Sequence, residues 1–214
     1  MRWVVAKLGT AAVSSLQGWA AVARALADAP AGQHTVLVCD RVDGPGLREL
    51  ALRAAEGADP EADRASVAER HRSLAEALGV DLGAVASDLD EVGRLLAGVG
   101  LLGEAGPRAL DRVEGLGPRL AARLGAAWLA KQGVDARWSD AGDVLVRDDR
   151  ADAATVRDRL RGAAVTVVGG GTVRDGGSTV GLGAGGVDVS AAILAVRLGA
   201  ARLDVWSDRP GLFT

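Results

Sequence analysis

The sequence predicts an α/β protein in which a mostly parallel sheet is covered by helices. Three observations carry that expectation. Short apolar runs stand near both ends of the chain, helical periodicity follows them, and a long middle stretch is helical throughout.

The first run, "RWVVAKL" (2–8), reads as a buried strand. "SSLQGWAAVARALADA" (14–29) follows with a serine start signal and helical spacing of Leu16, Trp19, Val22, Ala23 and Leu26. "HTVLVCD" (34–40) is a second strand. From about 44 to 131 the pattern is helical, and Pro60, Gly79, Gly103 and Pro107 divide it into four segments. "VDARWSD" (134–140) and "AVTVVGG" (164–170) return to strand character, with the helix "DAATVRDRLRG" between them. "VDVSAAILAVRLGA" is a last helix and "RLDVWS" a last strand, at 202–206. Without an internal repeat or low-complexity linker, residues 1–214 are expected to form one domain, the central helices elaborating the α/β layer.

Composition narrows the function classes. Hydrophobic residues make up 49% and charged residues 25%, and the net charge of −3 argues against general nucleic-acid binding, which needs a concentrated basic face. No apolar run has the length of a membrane span, and the start "MRWVVAKLG" lacks the pattern of a signal peptide, so the cytoplasm is expected. Cys39 is alone, which leaves no disulfide framework and no cysteine metal cluster; no metal ligands are assigned. His34 and His71 are far apart in sequence, and His71 is expected on a solvated helical face. Trp3, Trp19, Trp128, Trp138 and Trp206 have apolar neighbours and are expected in the core.

Three stretches carry candidate chemistry. Lys7 in "AKLGTAAV" is one of only two lysines beside 23 arginines, and it ends a strand next to Gly9. A lysine and free backbone N–H groups placed there suit phosphates, although taken alone an exposed strand-end lysine is the simpler reading. Gly169 to Gly186 holds nine glycines in 18 residues, more than turns require. The "VVGGGTVRDGG" part suggests a loop that a ligand can approach closely, and "GLGAGGVD" precedes a helix whose first amides and dipole favour an anion. In "VWSDRPG", Ser207 and Asp208 stand at a strand's carboxyl end, where parallel sheets bind ligands; alone, a polar turn closed by Pro-Gly explains them more simply.

Together and in order, these stretches resemble the aspartokinase branch of the amino-acid kinase family, most of all the kinase half of bifunctional aspartokinase–diaminopimelate decarboxylases. "KLGTAAV" is similar to KFGGTSV, the segment from Gly117 to a GE-[RL]-L-S helix, "GGTVRD" to GF-I-x-RD, "LGAGGVDVSA" to LGRGGSD-x-SA, and "WSDRPGLF" to WTDVPG-[ML]-F. The resemblance implies an α/β/α sandwich with a helical middle insertion, and transfer of the ATP γ-phosphate to a carboxylate with Mg²⁺. It implies Lys7 and Asp188 as catalytic residues, and Lys7, Gly9, Gly183, Gly185, Gly186, Ser207, Asp208 and Gly211 as the nucleotide and phosphate contacts.

Several substrate positions depart from the family. Thr10, Ala11 and Ala12 replace Gly, Thr and Ser, Pro118 and Ala121 replace Glu and Ser, and Ala184 and Val187 replace Arg and Ser. A carboxylate wants a bidentate guanidinium, and losing one charge-assisted contact to a buried ligand costs roughly 2–5 kcal/mol. Lys7 is then the only cation at the matched positions. The expectation is an aspartokinase-like protein diverged from aspartate phosphorylation, with residual nucleotide or phosphate binding. The alternatives are an active kinase on a different, less polar acceptor, and a non-catalytic partner subunit; self-association or pairing with another kinase chain goes with these readings. The chain stops at Thr214 where the family continues into nucleotide-binding segments and ACT domains, so feedback regulation is not expected.

Overall fold

The computed structural model describes residues 2–147 and 153–207. In chain order they form β1 (Arg2–Leu8), α1 (Thr10–Val13), α2 (Leu16–Ala27), β2 (Gln33–Cys39), α3 (Leu47–Ala55), α4 (Pro60–Leu78), a 3-10 turn (Leu82–Val85), α5 (Ala86–Leu102) and α6 (Pro107–Lys131). They continue as β3 (Ala136–Trp138), α7 (Ala141–Val144), α8 (Ala153–Leu160), β4 (Val165–Gly169), β5 (Thr172–Asp175), β6 (Ser178–Gly181), α9 (Gly186–Leu198) and β7 (Arg202–Trp206).

Five strands make one sheet in the order β3-β4-β2-β1-β7, and every pairing in it is parallel. The five apolar runs are therefore members of a single sheet. Side chains alternate across it: Trp3 and Val5 of β1 pack with α9 on one face, while Ala6 and Leu8 join the core beneath α2, α3 and α6 on the other. This is a three-layer α/β/α arrangement. Because all five strands run the same way, their carboxyl ends lie along one edge.

The helical middle follows its punctuation. Pro60 and Pro107 are the first residues of α4 and α6, where a missing N–H costs nothing. Gly79 and Gly103 close α4 and α5 in the left-handed conformation, with φ of 61° and 68°. Ser15 caps α2 by accepting from Gly18 N. No helix among the described residues is long and apolar enough to cross a membrane.

Three expectations need correction. The glycine field is not loop throughout, since β5 and β6 form an antiparallel hairpin inside it. Its two turn residues, Gly176 and Gly177, both have positive φ (54° and 86°), as a tight two-residue hairpin turn demands. Trp138 and Trp206 are only partly buried, unlike Trp3, Trp19 and Trp128. His71 is not solvated at all. It is 5% exposed on the stripe Val67, His71, Leu74, Leu78. Its Nδ1 donates to the Val67 carbonyl at 2.8 Å, which leaves Nε2 unprotonated and buried without a partner among the described residues. Burial, reinforced by the charge of Arg70, holds the imidazole pKa below its ordinary value of 6.5, and the Val67 bond only partly opposes this.

Candidate functional site

The site begins with β1. Lys7 pairs in register with Val38 and Val205, so its side chain leaves the sheet near the carboxyl edge, on the α9 face. Its Nζ lies 3.3 Å from Asp188 Oδ1, with the lysine side chain 13% exposed and the aspartate 57%. Gly9 comes next, and its N–H donates to the Trp206 carbonyl at 3.0 Å. A Cβ on Gly9 would stand 2.9 Å from that oxygen, so the close approach of β1 to the end of β7 requires glycine. Ser207 Cα lies 3.9 Å from the same point.

Opposite Lys7 is the start of α9. Gly183 and Gly185 both adopt φ of 73°, and Gly186 N donates back to the Gly183 carbonyl. This brings the chain sharply into the helix, whose first-turn amides lack intrahelical acceptors and whose dipole favours an anion. The turn after β4 braces the loop. Leu182 N bonds to Gly171 O, and Gly171 N donates to Oγ of the fully buried Ser190. A Cβ on Gly170 would come within 2.8 Å of Val187, and one on Gly186 within 3.1 Å of Gly171 Cα. The two glycine loops thus pack backbone to backbone.

Between these loops and α6 lies a cavity of about 220 Å³. Pro118, Ala184 and Val187 line it together with Gly183, Gly185, Gly186 and Asp188. Pro118 sits inside α6, where it cannot donate to the carbonyl one turn back. The helix also carries Gly115 and Gly117 there, because α6 runs hard against its neighbours. A Cβ on Gly117 would be 3.2 Å from Arg41 Cβ, and one on Gly115 would be 2.9 Å from Thr172 Cγ2.

Lys7, Gly9, Ser207, Asp188 and the 183–186 loop therefore meet at one edge, while Pro118, Ala184 and Val187 face the adjoining cavity. Thr10 and Ala12 form α1 and do not line that cavity, and Ala121 is fully buried in the core. Asp208 and Gly211 lie outside the described residues.

Sequence reasoning missed the charges that other elements deliver. Asp40 and Arg41 follow β2, Arg48 comes from α3 and Glu114 from α6, and all four line the cavity. Arg48 Nη1 stands 3.4 Å from Glu114 and 3.8 Å from Asp111. Two signals were available. Asp40 and Arg41 stand at a strand's carboxyl end just as Lys7 does, and Glu114 lies four residues before Pro118 on the same helical face. Among the described residues no group of three or more acidic, histidine or cysteine side chains is placed to hold a metal ion by itself.

Residues 2–214 match the amino acid kinase family. Among curated proteins, lysine-sensitive aspartokinase 3 of Escherichia coli (strain K12) is 29% identical over 187 residues, covering 79% of this chain and 41% of the relative. The aspartokinase of Schizosaccharomyces pombe is 34% identical over 142 residues, 60% of this chain and 27% of the relative. The solved structure of E. coli aspartokinase III in complex with aspartate and ADP superposes with a TM-score of 0.77 at 26% identity, covering 98% of this chain and 50% of that one. The Clostridium acetobutylicum aspartate kinase, at 16% identity and a TM-score of 0.73, shares the fold. The chain spans half or less of the length of each of these proteins.

Proposed function

The chain belongs to the amino acid kinase family, and from that premise we propose that it is an aspartokinase-like protein that keeps a phosphate and nucleotide cradle but has diverged from aspartate phosphorylation. One observation carries this reading. The Lys7 ammonium pairs with Asp188 in the first turn of α9, which the doubly left-handed glycine turn leads into, whereas the cavity positions beside that turn are Pro118, Ala184 and Val187. Backbone amides and one ammonium suit a phosphate; a proline, an alanine and a valine offer no charge to an amino-acid substrate.

In this reading Lys7 contacts the phosphates and offsets charge that develops on them, with Gly9, Gly183, Gly185 and Gly186 allowing close approach. Ser207, which follows β7, is assigned to the nucleotide, as are Asp208 and Gly211, which lie outside the described residues. A magnesium ion carried on the phosphates needs only one or two protein carboxylates, so the lack of a protein-only cage among the described residues is compatible with it. Asp188, exposed beside Lys7, is the carboxylate in place. The ion's contribution would be to neutralise phosphate charge.

Calorimetric titration with Mg·ADP and Mg·ATP, followed by an ADP-release screen over carboxylate and phosphate acceptors, tests the proposal. Weak saturable nucleotide binding without aspartate-dependent turnover is the expected result. Complete absence of nucleotide binding would refute it.

A second reading has its own observation. Arg41, Arg48 and Glu114 restore both signs of charge to the cavity from elements other than the matched motifs. They favour an active kinase whose acceptor is held from the α3 and α6 side. The acceptor expected on this reading is charged, unlike the less polar one that Ala184 and Val187 alone suggest. ADP release with such an acceptor, sensitive to Arg48→Gln, would select this reading.

A further inference from the structure

The adjacent face of α6 holds a second cavity, of about 410 Å³, bounded by α6, the end of β3 and the β5–β6 hairpin. Arg108, Arg112 and Arg119 of α6 and Arg174 of β5 face Glu91 and Asp140 there, four guanidinium groups against two carboxylates. The excess is two positive charges.

Arg119 is held in place from behind, together with Arg123. Asp88, only 2% exposed, lies 2.8 Å from Arg123 Nη1 and 3.2 Å from Arg119 Nε. The Nε contact is close but not aligned as a hydrogen bond, so that N–H stays without an acceptor among the described residues. Both guanidiniums lie over the Trp138 ring, at 5.2 and 5.0 Å from its centroid. Holding guanidiniums in this way removes much of the entropy a ligand would otherwise have to offset.

The compensation is uneven. Arg112 is met by Glu91 at 2.6 Å and Arg119 by Asp140 at 3.1 Å. Arg174 has Asp140 only at 3.9 Å, and Arg108 has no ion-pair partner among the described residues. Hydroxyls of Ser178 and Thr179 complete the hairpin wall. Planar forks with an unmatched double charge select carboxylate or phosphoryl groups over other anions.

We propose that this cavity binds a small dianion, bearing two carboxylates or a phosphoryl group, at a site separate from the Lys7 cradle. Thr172 lines both cavities, and residues 115–119 of α6 form the wall between them. A ligand in the arginine cavity therefore presses on the same wall that bounds the glycine-loop cavity.

The test is calorimetric titration of the whole chain with inorganic phosphate, succinate and acetate. It is repeated on the Arg108→Gln/Arg174→Gln double variant, on Lys7→Ala and on the exposed control Arg72→Gln, each checked for an unchanged melting transition. Succinate or phosphate should bind at least about tenfold more tightly than acetate. The double variant should lose about tenfold or more of the succinate affinity, with Arg72→Gln unchanged and succinate binding retained in Lys7→Ala. The tighter of the two dianions identifies the preferred group. Three outcomes overturn the proposal: no saturable dianion binding, binding unaltered in the double variant, or binding abolished by Lys7→Ala, which would put the anion in the cradle alone. Because the cradle is read with nucleotide and this cavity with succinate, either can fail without the other.

Discussion

The two faces of α6 between Glu114 and Arg119 differ in what they offer: charges of both signs beside glycine loops on one, and an excess of guanidinium groups on the other. On one side the glycine loops around Gly170 and Gly185 present main chain, and the side chains of Pro118, Ala184 and Val187 add no charge. On the other, the arginine side chains of α6 and β5 supply four guanidinium groups to the lining. A cradle made of backbone depends on φ values and close approach, so it persists while neighbouring side chains are replaced. A cradle made of guanidiniums vanishes with a few substitutions. On the proposed reading, the glycines of "GLGAGG" can thus persist while the side chains beside them differ.

Aspartate supplies the largest contrast. The unmodified chain should show no aspartate-dependent ADP release above background, and Ala184→Arg alone should not produce it. A coupled assay of both proteins checks this. If the single substitution sufficed, Glu114 would be holding the substrate ammonium, and the glycine-loop side would be richer in side-chain function than this comparison allows.

Lys7→Ala sharpens the comparison next. Removing the one ammonium at the cradle should cost roughly 2–5 kcal/mol of Mg·ADP binding, about 30-fold or more. Dianion binding in the arginine cavity should be untouched. Unchanged nucleotide affinity would mark Lys7 as an ordinary structural charge.

Gly169→Ala addresses the wall itself. Its Cβ would stand 2.7 Å from Arg119 N and 2.8 Å from Pro118 C, both backbone atoms that cannot swing aside. The helix must shift off β4, with an expected loss of about 1–3 kcal/mol in urea unfolding and weaker binding on both sides. An effect confined to one cavity would show that the wall does not couple them.

The smallest effect lies away from both cavities. His71 is buried neutral, and its folded pKa is depressed below 6.5. Between that lowered value and 6.5 the unfolded chain binds more protons, so stability falls as pH drops through this window and is independent of His71 above it. Urea midpoints measured across the window should flatten in His71→Phe. A pH response that persists in the variant would place the responsible group elsewhere.

Local sequence determined much of this protein. Apolar runs marked the five strands of the parallel sheet, and Pro60, Gly79, Gly103 and Pro107 marked the helix boundaries, because strand burial and helix capping act within a few residues. The meeting of Lys7 with the 183–188 loop was legible too, since parallel strands bring their carboxyl ends to one edge. The β5–β6 hairpin was hidden by its glycines, which read as loop until two positive φ values turned them into a tight turn. His71 looked solvated among "ERHR", and only the packing of α4 turned it inward. Arg41, Arg48 and Glu114, like the arginines around Trp138, come from separate elements with no shared spacing. Their convergence is a long-range consequence of how α3, α6 and the hairpin pack, and tertiary structure alone decided it, because charge adds up in space rather than along the chain.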